Sequence, residues 1–344
     1  MCIRDSACCD NTIISLVGNQ TKTSSRLTFV GGSPYEQDPA RADPSLTHRR
    51  APWLGLLGPL TPVRDGGSGE TVRSMGTPAA MPDPDTVAWL LDCDDPSVRY
   101  FTLTLLGESA DGVAAAKTRC RIMTEGAVPL ILAAQREEGH RCERERFYTA
   151  KYTGTVWQLI ILAELGADGG DERLRRACEV ILCDSQDAKS DGFSVNCAKA
   201  VGGRHGSVIP CLTGNLIFSL IKLGYLDDPR VRRAIDWITT YQRFDDADGD
   251  APTGWPYDPW EMCWGRHTCH MGAIKALKAL AEKPPERCSS EVRRTLADGV
   301  EFRLRHHVHR RSHDLAHDSK PGWRRFGFPL LMARSLVLDG QVPS

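Results

Sequence analysis

The sequence predicts an all-α protein built from repeated helical hairpins. Three observations carry that reading. From about residue 81 onward, apolar residues recur at helical spacing. No stretch shows the period of two that marks a half-buried strand. One two-helix unit also recurs, at intervals of 51 and 56 residues measured on Gln135, Gln186 and Gln242. Self-similarity at such a period implies stacked hairpins, each covering an apolar face that its neighbour cannot bury alone.

The elements follow in order. Asp95-Pro96-Ser97 reads as a helix start, with Asp95 as N-cap and Pro96 as the first helical residue. Leu103, Leu105 and Leu106 continue it and Gly107 stops it. Val113 to Gln135 carries Ile122, Val128, Ile131 and Leu132 at helical spacing and reads as helix. Further helical patterns cover 153–165, 172–183, 213–223, 228–241, 270–282, 290–304 and about 327–338. Thr153-Gly154, Thr213-Gly214 and Met271-Gly272 open the apolar helices of three units. A more polar helix follows each, and after it comes a Gln with a Gly-bearing turn. These turns are Gln135…Gly139, Gln186…Asp191-Gly192-Phe193 and Gln242…Gly249…Trp255. The nearly all-apolar helix of each pair should face inward, and the Arg- and Asp-bearing helix should face water.

This Gln…Gly…aromatic turn between helix pairs resembles the repeat of squalene cyclases and protein prenyltransferases. The segments Pro210-Cys211-Leu212-Thr213-Gly214-Asn215, Cys263 to Gly272 and Ser319 to Pro329 are similar to a bacterial branch of that superfamily. The resemblance covers about 81–340. It implies an α/α toroid, full or partial, in which an inner ring of helices encloses a cavity. It further implies a prenyltransferase- or cyclase-like enzyme, zinc-dependent if the cysteines hold a metal, acting on an apolar or isoprenoid small molecule in that cavity, with a non-catalytic lipid- or protein-binding toroid with structural cysteines as the alternative. Four or five hairpins are legible where the family's closed toroid needs about six, so a C-terminally truncated domain over 81–344 is the expectation.

Residues 1–80 differ from the rest, being rich in Gly, Pro, Ser, Thr and Arg without sustained periodicity. Such a composition buries too little apolar surface to offset its ordering entropy. The expectation is a disordered or non-native leader: Met1-Cys2-Ile3-Arg4-Asp5-Ser6 resembles a translated adaptor sequence, Met75 or Met81 is the expected start, and a genuine flexible tail is the alternative. Over 344 residues the formal net charge is −1, which excludes nucleic-acid binding by bulk charge. The longest apolar stretch, Val156 to Leu165, is too short to span a bilayer and contains Gln158 and Glu164. With no signal peptide in evidence, the 13 cysteines read as reduced cytoplasmic thiols, some of them metal-bound.

The cysteines carry the strongest chemical signal. With the repeats aligned on Gly154, Gly214 and Gly272, Lys151, Cys211 and Cys269 stand three residues before each glycine. Cys211 and Cys269 thus share one position at the start of neighbouring inner helices, where helix N-termini favour the thiolate. Cys263 and His270 lie close in sequence, and Cys211, Cys263, Cys269 and His270 make a candidate Cys₃His zinc set. Buried, reduced, structural thiols are the alternative. Asp92-Cys93-Asp94-Asp95 matches the acid string of proton-initiated terpene cyclases, but its place before Pro96 reads as helix capping.

Two further clusters are candidates. Asp245-Asp246-Ala247-Asp248-Gly249-Asp250 could bind Ca²⁺ or a Mg²⁺–diphosphate, and it also coincides with a repeat turn. Asp246 and Asp248 are the candidate catalytic acids there. Arg303 to Arg325 carries seven Lys+Arg against two Asp, together with five His. It reads as a solvated basic face or as an anion site for a diphosphate or a phospholipid headgroup, with His313 a candidate catalytic residue and peripheral membrane contact a consequence. Trp237, Trp255, Trp260, Trp264 and Trp323 cluster in the second half and suit either an aromatic cavity wall or packing between repeats.

Overall fold

The computed structural model describes residues 83–106, 112–197, 202–246, 249–260, 263, 267–311 and 314–319. It is mostly helical, with one small two-stranded sheet. Two compact units divide between Pro129 and Leu130. In the first unit, α2 (Pro96–Leu105) packs against α1 (Pro84–Leu91) and α3 (Gly112–Ile122). Asp95 caps α2 as the sequence predicts: its carboxylate accepts from Ser97 N at 2.8 Å and Val98 N at 3.3 Å, and Pro96 occupies the first turn. The helix expected over 113–135 is instead two helices, α3 and α4 (Ala127–Ala133). The break falls at Gly126, whose φ of +75° takes the left-handed conformation that ends a helix.

The second unit holds three hairpins: α5 (Thr155–Glu164) with α6 (Glu172–Asp184), α7 (Pro210–Lys222) with α8 (Pro229–Tyr241), and α9 (His270–Ala281) with α10 (Ser290–Arg305). Each pair packs on itself, and α7 lies between α5 and α9 and packs on both. The predicted division of labour is observed. Helices α5, α7 and α9 are buried along most of their length. Helix α6 buries a single stripe (Leu174, Ala177, Cys178, Ile181, Leu182), as does α8 (Val231, Ala234, Ile235, Ile238). That is the apolar spacing of a helix with one wet face.

Two of the three repeated glutamines fasten one hairpin to the next, whereas Gln242 Nε2 donates to the adjacent Arg243 O. Gln135 Nε2 donates to Gly139 O at 3.1 Å and to Arg173 O at 2.8 Å. Gln186 Nε2 donates to Asp191 O and to Arg230 O, each at 2.9 Å. Arg173 and Arg230 are both second residues of the following polar helix, and Gly139 and Asp191 both take positive φ. The turns are also tied to inner-helix starts by threonine hydroxyls. Arg141 N donates to Thr155 Oγ1, Phe193 N to Thr213 Oγ1, and Asp245 N to Thr268 Oγ1, at 2.9–3.0 Å.

The basic segment departs from expectation. Helix α10 ends at Arg305, and β1 (Arg310–Arg311) then pairs antiparallel with β2 (Asp314–Asp318). A short run this rich in charge shows no apolar alternation by which a strand can be read. The helix expected over 327–338 lies outside the described residues. Among the described residues no helix is long and apolar enough to cross a membrane.

Backbone proximity fixes the α7–α9 contact. A Cβ at Gly214 would meet the Lys275 carbonyl carbon at 2.6 Å and Ala276 N at 2.7 Å. Backbone atoms yield less readily than side chains, so Gly214→Ala should destabilise the protein by about 1–3 kcal/mol. Gly206, with nothing within 4 Å of its missing Cβ, should accept alanine within about 0.5 kcal/mol. Urea unfolding midpoints of the two variants check this, and equal midpoints would remove the close approach as a constraint.

Candidate functional site

The starts of α7 and α9 lie against each other. A Cβ at Gly272 would sit 3.1 Å from the Pro210 ring. Pro210 opens α7, Cys211 follows it in the first turn, and Cys269 is the N-cap residue of α9. The positional equivalence of Cys211 and Cys269 in the sequence thereby becomes spatial proximity.

Three features act on Cys211. The Cys263 thiol donates a hydrogen bond to its sulfur, the Lys275 ammonium lies within electrostatic reach, and backbone N–H groups of Cys211 and Leu212 point to it. Burial opposes ionisation, but the hydrogen bond and the charges outweigh it and bring the thiol down to about 6. Cys269 responds in the opposite direction. Burial and the charge of Cys211 push its thiol up, although the N–H groups of Gly272 and Met271 point to it. The two neighbouring sulfurs are thus pushed in opposite directions, Cys211 toward the thiolate and Cys269 toward the thiol. All three cysteines are half-buried and free of disulfides.

His270 faces elsewhere. Its Nδ1 accepts from Arg303 Nη1 at 2.5 Å, and its ring lies 5.1 Å from Phe302 and 5.3 Å from His306. Both His270 and Arg303 are buried, and burial pulls the Arg303 guanidinium down to about 10. The nitrogen expected to complete a Cys₃His zinc set is therefore turned toward α10, and a cation, Lys275, already stands beside the sulfurs. Among the described residues no three His, Cys, Asp or Glu side chains converge as a bound metal ion requires.

The other candidates fall in separate places. Asp246 Oδ2 lies 2.9 Å from His306 Nε2 and 3.9 Å from Arg305 Nη1, and His306 Nδ1 donates to Phe302 O at 2.6 Å. This carboxylate fastens its turn to the end of α10. Asp245 is held by Arg243, both of whose contacts measure 2.6 Å. Asp248, His313, Trp264, Trp323 and the side chain of Trp260 lie outside the described residues. A cleft of about 410 Å³ against α6 is lined by His140, Arg144, Cys183 and Asp184, away from the three sulfurs. Within it Asp184 is held by Arg144 at 2.6 Å and lies 3.4 Å from His140.

Two features escape sequence reading. Lys275 is the only charge between Met271 and Leu277, within the apolar first half of the helix, and that isolation is the signal that could have found it. His205 and Asp187 leave no such pattern, being 18 residues apart. Asp187 Oδ2 pairs with His205 Nδ1 at 2.6 Å and also accepts from Ser190 N and Oγ. The imidazole stacks on Trp255 at 4.3 Å, and Trp255 Nε1 donates to His205 O. This cluster fixes the segment that leads into α7 and hence the position of Cys211.

The Cys263 hydrogen bond stabilises the ionised form of Cys211, so its removal must raise the pH at which Cys211 ionises. Alkylation of Cys211 by iodoacetamide should rise through about pH 6. In Cys263→Ala the midpoint should move upward, toward the ordinary cysteine value of about 8.5. A midpoint unchanged by that substitution, read by peptide mass spectrometry, would remove Cys263 from the site.

Comparison of the chain with protein-family models, with curated proteins and with solved structures found no match.

Proposed function

We propose that this protein is a curved array of helical hairpins, a partial α/α toroid, with a nucleophilic thiolate centre at the mouth formed by its inner-helix N-termini. The observation that carries the chemistry is the placement of Cys211. It sits in the first turn of an inner helix, accepts the Cys263 S–H and stands beside Lys275. Thiolate, rather than thiol, is the attacking species in sulfur chemistry, and the surroundings of Cys211 favour it.

An ion pair supports the curvature. Lys278 of α9 reaches Glu164 of α5 while its ammonium lies 3.7 Å from the Phe218 ring of α7. The pair joins the first and third helices of the row across α7, which supports a row bent toward the face that carries it. That face bears an ion pair at the far end from Cys211, which favours a polar electrophile over a hydrocarbon polyene as the substrate.

The test uses the full chain at pH 6.5 with limiting chloroacetamide, followed by peptide mapping. Cys211 should be mostly ionised there and an ordinary cysteine about 1% ionised. The lower intrinsic nucleophilicity of a low-pKa thiolate returns roughly tenfold of that advantage. Cys211 should therefore react about fivefold faster than the exposed Cys120 and Cys183. Preferential labelling of Cys120 and Cys183 would overturn the reading. So would one equivalent of zinc that disappears in Cys211→Ser, since the sulfur would then be a ligand.

A further inference from the structure

We propose that His205, oriented by Asp187, is a nucleophilic imidazole that takes acyl groups from small activated carboxylic esters and passes them to water. This centre is separate from Cys211 and adds an activity to the thiolate reading. The geometry of the pair carries it. Asp187 is buried, and its Oδ2 already accepts from Ser190 N at 3.0 Å and from Ser190 Oγ at 2.5 Å. The third group on that oxygen, His205 Nδ1 at 2.6 Å, must therefore supply a proton of its own. In the neutral ring this leaves the lone pair on Nε2. Among the described residues nothing hydrogen-bonds Nε2, and the side chain is 31% exposed, so the lone pair is open to solvent. Trp255 fixes the plane of the ring, lying 4.3 Å away and 10° from parallel, and Tyr241 stands edge-on to the indole. The adjoining Gly206 is exposed, and beyond its chain neighbours nothing lies within 4 Å of its missing Cβ. An oriented base with one free nitrogen and open space beside it is the arrangement that nucleophilic catalysis needs.

The steps balance. His205 Nε2 attacks the carbonyl carbon of R–CO–OR′. The N–C bond forms, and the C–O bond breaks with its electron pair leaving on R′O⁻. The acylated ring carries a positive charge, which the Asp187 carboxylate offsets through Nδ1–H. Water then adds its hydroxyl to the acyl carbon, and the N–C pair returns to Nε2. The remaining water proton ends on R′O⁻, so ester and water become acid and alcohol. Asp187 does not touch the ester. It is a positioning residue that decides which nitrogen is free.

The experiment gives the full chain 4-nitrophenyl acetate at pH 7.5 and reads the steady release of nitrophenolate after any burst, so that one-time acetylation of thiols drops out. That rate should fall at least about tenfold in His205→Gln and in Asp187→Asn. Urea midpoints of both variants separate lost folding from lost chemistry. A second arm needs no variant to fold. Limiting diethyl pyrocarbonate, which acylates imidazole, followed by peptide mapping should label His205 ahead of the exposed His307 and of His317, whose side chain is 67% exposed. Asp187→Asn should abolish that preference, which a merely structural aspartate would leave in place. Unchanged turnover in a folded His205→Gln chain, or labelling of His307 and His317 first, would overturn the proposal. If chloroacetamide labels Cys211 fast while ester turnover survives His205→Gln, this centre falls and the thiolate centre stands. If Cys211 is inert while His205 turns esters over, the reverse holds.

Discussion

The close approach of α7 and α9 at Gly214 is the constraint on which the site depends. A side chain there would push against the backbone of Lys275 and Ala276. Without one, the two helices come within backbone contact, and the lysine at the crossing is held near the first turn of α7. The same pair meets again at Pro210 and Gly272, one turn nearer the helix starts. Two contacts fix both separation and register, and register decides which side chains meet. Cys211, Cys269 and Lys275 become neighbours because the backbones leave them no other arrangement.

The hairpin repeat aims these groups. Each unit runs inner helix, turn, outer helix, so α5, α7 and α9 all begin at one end of their row. Helix starts carry unsatisfied N–H groups and partial positive charge. Neighbouring parallel helices concentrate that charge, and an anion among them is stabilised. The glutamine bonds keep the spacing. One amide satisfies a turn carbonyl and a carbonyl in the next outer helix, so the step from unit to unit is set by hydrogen bonds as well as by apolar packing.

Much of this was legible from residue patterns. Alternation of apolar and amphipathic helices followed from the periodicity, and Asp95 before Pro96 named its own cap. Alignment on the glycines put Cys211 and Cys269 at one position because glycine marks where inner helices touch. His270 contacts Arg303 of α10 for a geometric reason. Successive helical residues point about 100° apart, so Cys269 and His270 cannot both face α7. The cysteine faces α7 and the histidine faces α10. The break at Gly126 was legible after all: Ile122 and Val128 are six residues apart, about 240° round a helix and so off a common face. The Asp187–His205 pair depends on how two turns fold over each other, which no local pattern encodes.

Two lysines one turn apart on α9 show what the thiolate does for the fold. A buried ammonium is costly unless an anion accompanies it. Lys278 has Glu164 and the face of Phe218, while Lys275, more deeply buried, stands by Cys211. An anion on Cys211 would thus also be the counter-charge of a core residue.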